Sequence, residues 1–92
     1  MGFLYILKCS DSSLYVGSTN NINARFIQHQ NGIGSAYTRR RRPVKLIFIQ
    51  QFTSLEEAFW TEKKIKRWSR KKKLALIQSE FNRLVEFSRK TM

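Results

Sequence analysis

The sequence predicts a small α+β domain in which a hairpin and a third strand form one sheet flanked by helices. Three observations predict this class. Segments typical of strands and of helices are interleaved along the chain, the first two strands are joined by a short turn, and 92 residues leave room for one core. The expected order is β-β-α-β-α-α with a mixed or antiparallel sheet. Since no period of about 20–50 residues repeats and no Gly/Ser-rich linker divides the chain, we expect a single domain over residues 1–92.

The first two strands form the predicted hairpin. Phe3 to Cys9 is apolar, aromatic and branched, which favours a strand. Ser10 to Ser13 has short oxygen-bearing side chains that hydrogen-bond their own backbone in turns. Leu14 to Val16 resumes the strand pattern, and Gly17 is expected to end it.

Two tyrosines of this hairpin are candidate functional residues. Side chains alternate between the faces of a strand, so Tyr5 lies on one face of the first strand, while Tyr15 and Gly17 share a face of the second. A tight hairpin can therefore place both phenols close together. Two ordinary strand tyrosines are the alternative interpretation, because tyrosine is a good strand former.

The next element is predicted to be a helix that begins after Asn20 or Asn21, either of which can act as the N-cap, and runs to about Gln30. It carries Arg25 and His29 four positions apart, so both lie on one face. They are candidates for a functional pair, and a solvated surface pair is the alternative.

Asn31 and Gly32 are expected to end that helix. Residues 33–43 are predicted to form a loop that carries four consecutive arginines. A third strand should follow over Val44–Phe52, with at least one buried face.

A second long helix is predicted from the spacing of Ser54 and Glu57, which is that of a capping box. This helix should end at about Trp68. Ser69 can cap a last helix that extends towards Phe87.

Glu62 is the most informative residue of the second long helix. The apolar residues of this helix follow helical spacing, and Glu62 falls in the middle of their stripe. A buried unpaired carboxylate costs several kcal/mol, so Glu62 needs a partner or a cation. One interpretation is a structural ion pair with Arg25. The other is a ligand for a hard divalent cation, which takes oxygen donors and keeps most of its waters.

The charge distribution points to a polyanion. Eighteen basic residues stand against six acidic ones, for a net charge of +12. A solvated face is the alternative for these cations, although so many in succession repel one another. Strong sequence specificity is not indicated, because no segment resembles a major-groove recognition helix. The candidate nucleic-acid contacts are Arg39, Arg40, Arg41, Arg42, Lys63, Lys66, Arg67, Arg70, Lys71, Lys72 and Lys73, with Trp68 and Trp60 as candidates for stacking on a base.

Composition also limits the compartment. The lone Cys9 excludes an intramolecular disulfide framework and a thiolate zinc cluster, and suits a reducing environment. The longest apolar stretches are too short to cross a bilayer, and the N-terminus has no signal-peptide pattern. We therefore expect a cytoplasmic protein with no membrane partner.

Taken together, these residues resemble the GIY-YIG nuclease superfamily, in particular its small single-domain bacterial members related to the nuclease module of the excision-repair incision protein. Phe3-Leu4-Tyr5 stands where the family has its first tripeptide, of which only the tyrosine is kept, and Tyr15-Val16-Gly17 where it has its second. The resemblance covers a core of about residues 2–78, which leaves 79–92 as a C-terminal helical extension. The further matches are Ser18-Thr19, Arg25, His29, Tyr37-Thr38 with Pro43, Glu62 with Ile65-Lys66 and, by type only, Asn82 for the family's late polar residue.

The resemblance implies hydrolysis of a DNA phosphodiester with one divalent cation, Mg²⁺ or Mn²⁺. Glu62 would hold the metal, and Arg25 would bind the scissile phosphate. Tyr5 or Tyr15 would be the general base, and His29 would orient water or phosphate or assist proton transfer.

The implied enzyme is a monomeric endonuclease of DNA repair or processing, structure-selective or weakly sequence-specific. Gly17 would allow backbone or substrate to approach closely, because it has no Cβ. A partner protein can supply the targeting that so short a chain lacks. Two alternatives are a non-catalytic module that uses the same basic surface to bind DNA or RNA, and a basic adaptor for an acidic protein.

Overall fold

Three strands and four helices make up residues 1–79, the part of the chain that the computed structural model describes. The last helix, α4, begins at residue 70 and continues to residue 79. None of the helices within residues 1–79 is long and apolar enough to cross a membrane. The other elements are β1 (Gly2–Lys8), β2 (Leu14–Thr19), α1 (Ile22–Gln30), α2 (Ala36–Arg39), β3 (Lys45–Phe52) and α3 (Leu55–Lys66).

The predicted α+β class and the order of its main elements are confirmed. The addition is α2, a single turn within the predicted loop 33–43, which Ser35 caps by accepting a hydrogen bond from the Thr38 N–H. All of the predicted extension except residue 79 lies outside the described residues, as do Asn82 and Phe87.

The sheet is antiparallel, with β1 between β2 and β3. Tyr5 pairs with Gly17 in β2, and Leu7 pairs with Tyr15. The prediction that Gly17 ends the second strand is wrong. Pairing continues through Ser18 to Thr19, because Gly17 keeps an extended backbone and its neighbours complete the ladder.

Both faces of the sheet are covered, and residues 4–7 of the central strand β1 are buried. On one face Leu4 and Ile6 pack with Val16, Phe48 and Ile65 of α3. On the other face, Ile22 and Phe26 of α1 cover a second cluster, which consists of Tyr5, Leu7, Cys9 and Val44. Alternate residues of β1 and β2 therefore point towards α3 and towards α1.

The helix ends follow the predicted capping residues. Asn21 caps α1 by accepting from the Ala24 N–H, and the chain leaves that helix through Gly32, whose φ of 82° favours glycine. Ser54 caps α3 by accepting from the Glu57 N–H. The helix α3 ends at Lys66, two residues before the predicted end at Trp68. Ser69 caps α4 by accepting a hydrogen bond from the Lys72 N–H.

Candidate functional site

The two hairpin phenols lie close together on the α1 face of the sheet. The ring centroids of Tyr5 and Tyr15 are 6.4 Å apart. Tyr5 is only 2% exposed, whereas Tyr15 is half-buried and stacks on Tyr37 of α2 with 5.9 Å between centroids. The predicted proximity of the phenols is confirmed, and the two rings differ in their access to solvent.

A buried chain of hydrogen bonds continues from Tyr5 through α1 to α2. The Tyr5 hydroxyl lies 2.8 Å from His29 Nε2, and His29 Nδ1 lies 2.7 Å from the Thr38 hydroxyl. The Thr38 hydroxyl in turn lies 2.9 Å from that of Ser35. His29 and Thr38 are both fully buried. We call Tyr5, His29, Thr38 and Ser35 the buried relay.

Burial sets the protonation of this relay. It raises the pKa of the Tyr5 phenol well above 10, and the nearby Tyr15 adds to the increase. Burial, together with the charge of Arg25, lowers the pKa of His29 below its usual value. At neutral pH Tyr5 therefore keeps its proton and His29 is neutral. The Tyr5 hydroxyl therefore donates to His29 Nε2, and the protonated Nδ1 of His29 donates to the Thr38 hydroxyl, so both ring nitrogens are hydrogen-bonded.

The interpretation of Arg25 and His29 as a solvated surface pair is wrong for His29, whose ring does not reach solvent. With Ile22 and Phe26, His29 completes an i, i+4, i+7 pattern on the face of α1 that packs on the sheet. That pattern was readable in the sequence. A direct contact of the His29 ring with water or phosphate is not available in this arrangement.

Glu62 lies at the edge strand β2, on the side of α3. Its Oε1 accepts a 2.6 Å hydrogen bond from the Ser18 hydroxyl, and its Oε2 lies 2.8 Å from Lys66 Nζ. The side chain is 12% exposed, so the predicted inward position is confirmed. The prediction of Arg25 as the ion-pair partner is wrong, because Lys66, one turn further along α3, pairs with Glu62. The hydrogen bond to this carboxylate raises the pKa of Lys66.

The phenols and Glu62 approach β2 from opposite faces of the sheet. Ser18, which holds Glu62, pairs with Leu4 and so points to the α3 side, whereas Tyr15 and Gly17 point to the α1 side. Lys66 spans the two groups, because its Nζ lies 5.7 Å from the Tyr15 ring centroid while it is paired with Glu62. The residues meet around one edge of the sheet and not on a single face.

Arg25 lines a cavity of about 470 Å³ between the end of β2, α1 and α3. Ser18 is part of the same wall, so the group that fixes Glu62 faces the space beside Arg25. Ser18 was not a predicted site residue, and the only signal for it was the family match of Ser18-Thr19 directly after Tyr15-Val16-Gly17. The remaining lining residues are Thr19, Asn20, Leu55, Glu56 and Phe59.

Gly17 allows a close approach, and the group that approaches is Tyr5. A Cβ at Gly17 would lie 2.4 Å from Tyr5 Cζ and from its hydroxyl oxygen. The space that the glycine leaves is filled by the buried phenol from within the protein.

Part of the predicted basic surface is engaged in internal contacts. Arg41 pairs with Asp11 at 3.1 Å and lies over the Tyr37 ring at 3.8 Å. Arg42 donates to the backbone carbonyls of Arg39 and Gln30. Arg40 is the C-cap of α2.

The other predicted cations lie on α3, in the connection after it, and on α4. Lys63 and Arg67 line a groove beside two tryptophans, and Lys72 Nζ lies 4.3 Å above the Trp68 ring. Arg70, Lys71 and Lys73 begin α4, where the first two are exposed and Lys73 is half-buried.

Comparison with known proteins places this geometry in a family. Residues 1–75 match the family model described as the GIY-YIG catalytic domain. A UPF0213 protein of Staphylococcus epidermidis is 47% identical over 76 residues, which are 83% of this chain and 93% of that protein. A UPF0213 protein of Clostridium perfringens is 49% identical over 80 residues, 87% of this chain and 86% of the relative.

A solved structure of another UPF0213 protein is also similar to this chain. The solution NMR structure of a UPF0213 protein from Bacillus halodurans has a TM-score of 0.56 to this chain at 40% identity, and the match covers 85% of this chain and 84% of that one. The hairpin tyrosines, the arginine of α1 and the glutamate of α3 therefore stand in a chain that belongs to the GIY-YIG catalytic domain family.

Proposed function

We propose that this protein is a metal-dependent endonuclease that hydrolyses DNA phosphodiester bonds at the edge formed by β2, α1 and α3. The observation that carries the proposal is the position of Glu62. Its carboxylate is nearly buried, is oriented by Ser18, and lies beside the cavity that Arg25 lines. An acid placed inward beside a guanidinium suits a site for a cation and a phosphate.

The donor set around Glu62 fits a hard divalent cation. The carboxylate and the Ser18 hydroxyl are both oxygen donors, and residues 1–79 contain no group of three or more His, Cys, Asp or Glu side chains that would suit another type of metal site. Mg²⁺ is commonly held by one or two carboxylates together with water and substrate phosphate. Glu62 would hold Mg²⁺ or Mn²⁺, which supplies charge neutralisation for the phosphate and the leaving oxygen.

Arg25 supplies the phosphate contact in this proposal. Its guanidinium lines the cavity next to Ser18 and carries a charge that reaches Tyr5. Charge-assisted hydrogen bonds from a guanidinium to phosphate oxygens orient the substrate and stabilise negative charge in the transition state.

We assign the general base to Tyr15 and a positioning role to Tyr5. Tyr5 is buried, hydrogen-bonded to His29 and retains its proton, so it is poorly suited to take a proton from water. Tyr15 is half-buried, so unlike Tyr5 its side chain is open to a water molecule from solvent. His29 acts through Tyr5 and fixes its ring beside Gly17.

The substrate is DNA that is recognised by backbone and shape. The net charge of +12 favours phosphate contacts, which carry no sequence information. A role in DNA repair or processing, as a monomer in the cytoplasm and with targeting by a partner protein, completes the proposal.

The test is cleavage of linear, branched and flapped DNA in the presence of Mg²⁺ or Mn²⁺. We expect nicking that falls by at least about 100-fold in Glu62→Gln and in Arg25→Ala. Glu56→Gln is the matched control, since Glu56 is another carboxylate of α3 and lines the cavity beside which Glu62 lies. Equal activity of the Glu62 and Glu56 variants would refute the assignment of Glu62.

The Glu62–Lys66 ion pair favours a second candidate, a nucleic-acid-binding module without turnover. In that case an ammonium permanently satisfies the carboxylate. DNA or RNA binding would then depend steeply on salt and be weakened by charge reversal at Lys71–Lys73, while Glu62→Gln would change nothing.

A further inference from the structure

A groove on the outer side of α3 lies apart from the candidate active site. It has a volume of about 440 Å³, within the range of about 300–1,000 Å³ that is usual for small-ligand sites. It is lined by Trp60, Lys63, Lys64, Arg67 and Trp68. We call it the tryptophan groove.

Two indole rings form the apolar walls of this groove. Trp60 is 61% exposed, although a ring of this size is normally largely covered. Trp68 is half-buried because one part of it packs against the core cluster below α3. The groove therefore combines one exposed ring with one ring that is held in place by the fold.

Among the described residues that line the groove, every polar one is a cation. Lys63, Lys64 and Arg67 contribute three positive charges, and Lys72 of α4 adds a fourth from above the Trp68 ring. Aromatic faces interleaved with cations are the chemistry that binds single-stranded nucleic acid, in which bases stack on the rings and phosphates pair with the cations. In an intact duplex the bases are already stacked, so the indoles would have no base to receive.

An aromatic path connects the groove to the candidate active site. Phe59 lines the cavity that contains Arg25 and Ser18, and its ring meets that of Trp60 edge-on with 5.7 Å between centroids. Lys63, which lines the groove, has its Nζ 4.8 Å from the Phe59 ring centroid. A strand that leaves the cavity can therefore follow Phe59 and Lys63 into the groove.

On the basis of the function proposed above, we propose that the tryptophan groove holds an unpaired base of the DNA strand whose scissile phosphate lies at Arg25 and Glu62. Trp60 stacks on the base, and Lys63, Lys64 and Arg67 bind its flanking phosphates. The enzyme thereby prefers DNA with a single-stranded segment next to the cleavage site over continuous duplex.

Tryptophan fluorescence tests this proposal directly, because Trp60 and Trp68 are the two tryptophans of the sequence. A short oligothymidylate is titrated into the protein in the presence of a chelator, so that binding is measured without cleavage. We expect saturable quenching, and Trp60→Ala should raise the Kd for oligothymidylate by about 5- to 150-fold. For a duplex of equal length the change should stay below about 2-fold.

Ile33→Ala is the matched control, since it removes an apolar side chain of similar exposure outside the groove and should leave both Kd values unchanged. Trp60→Phe should retain part of the affinity, because a ring remains. The proposal is overturned if Trp60→Ala weakens single-stranded and duplex DNA equally or neither of them, or if heparin, a polyanion without bases, produces the same quenching.

The two proposals fail separately. Saturable binding of oligothymidylate whose Kd rises in Trp60→Ala, without cleavage of any DNA, would remove the endonuclease and retain the base-binding groove. The opposite outcome is cleavage that depends on Glu62 but that Trp60→Ala leaves at the wild-type rate on both single-stranded and duplex substrates. That outcome would retain the endonuclease and remove the base-binding groove.

Discussion

Replacement of Gly17 by alanine tests how the fold positions the phenol of Tyr5. The new Cβ would lie 2.4 Å from Tyr5 Cζ and its hydroxyl oxygen, and 2.9 Å from Cε1. Ordinary contacts of a Cβ begin at 3.4 Å, so the ring must move by about 1 Å. Within residues 1–79 Gly32 is the glycine with a positive φ, and the backbone at Gly17 accepts alanine without strain. The cost of the substitution therefore comes from the clash.

The expected cost is about 1–3 kcal/mol of unfolding free energy. Insertion of a methyl group into a packed core costs about 1–3 kcal/mol. A displaced Tyr5 would also stretch its 2.8 Å hydrogen bond to His29, worth about 1 kcal/mol, while alanine recovers about 0.4–1 kcal/mol through the unfolded state. For a chain of this size the melting temperature should fall by roughly 5–20 °C.

Thermal and urea unfolding followed by circular dichroism measure this effect, in a double-mutant cycle with Tyr5→Leu. Leucine lacks the ring atoms that the new Cβ would meet. Gly17→Ala should therefore cost less than about 0.5 kcal/mol in the Tyr5→Leu background. A wild-type melting temperature in Gly17→Ala, or an equal loss of unfolding free energy in both backgrounds, would contradict a clash between the new Cβ and the Tyr5 ring.

Three further predictions follow from the site. Tyr15→Phe should lower single-turnover cleavage by about 100-fold or more with an unchanged melting temperature, whereas Tyr5→Phe should destabilise the fold and retain more activity; the reverse order would contradict the choice of base. Lys66→Met should bind Mn²⁺ about 2- to 5-fold more tightly in calorimetric titration, because the metal no longer competes with the Lys66 ammonium for Glu62. An affinity equal to that of the wild type would show that the Glu62–Lys66 ion pair does not oppose metal binding. Burial lowers the pKa of His29 in the folded state, so as the pH drops the unfolded chain binds a proton at this histidine before the folded protein does. The free energy of unfolding should therefore fall below about pH 6.5, by at most about 1.4 kcal/mol per pH unit, until the pH passes the folded pKa. Urea midpoints that stay constant between about pH 7.5 and 5.5 would contradict this.

The local elements were predictable from the sequence because short-range chemistry determines them. The caps Asn21 and Ser54, the turn at Ser10–Ser13 and the inward position of Glu62 all depend on residues a few positions apart. The proximity of Tyr5 and Tyr15 follows from strand alternation in a hairpin, which is also a local rule.

The contacts that define the site were less accessible. Lys66 was predicted as a DNA contact and Arg25 as the partner of Glu62, because charge alone does not show which cation a helix turn places beside a carboxylate. The buried relay depends on Thr38 meeting His29 across α2, a tertiary contact of a loop that the sequence predicts to be irregular. Charge counts likewise did not reveal that Arg41 and Arg42 are held by internal partners.

The stack of rings at the end of the hairpin has a mechanical consequence. Tyr15 stacks on Tyr37, the guanidinium of Arg41 lies over the Tyr37 ring, and Asp11 in the hairpin turn is paired with Arg41. A displacement of the arginine-bearing loop by an incoming ligand would therefore be transmitted to the Tyr15 ring. Binding of a polyanion to this loop would thus change the orientation of Tyr15, the proposed general base, through its contacts with Tyr37 and Arg41.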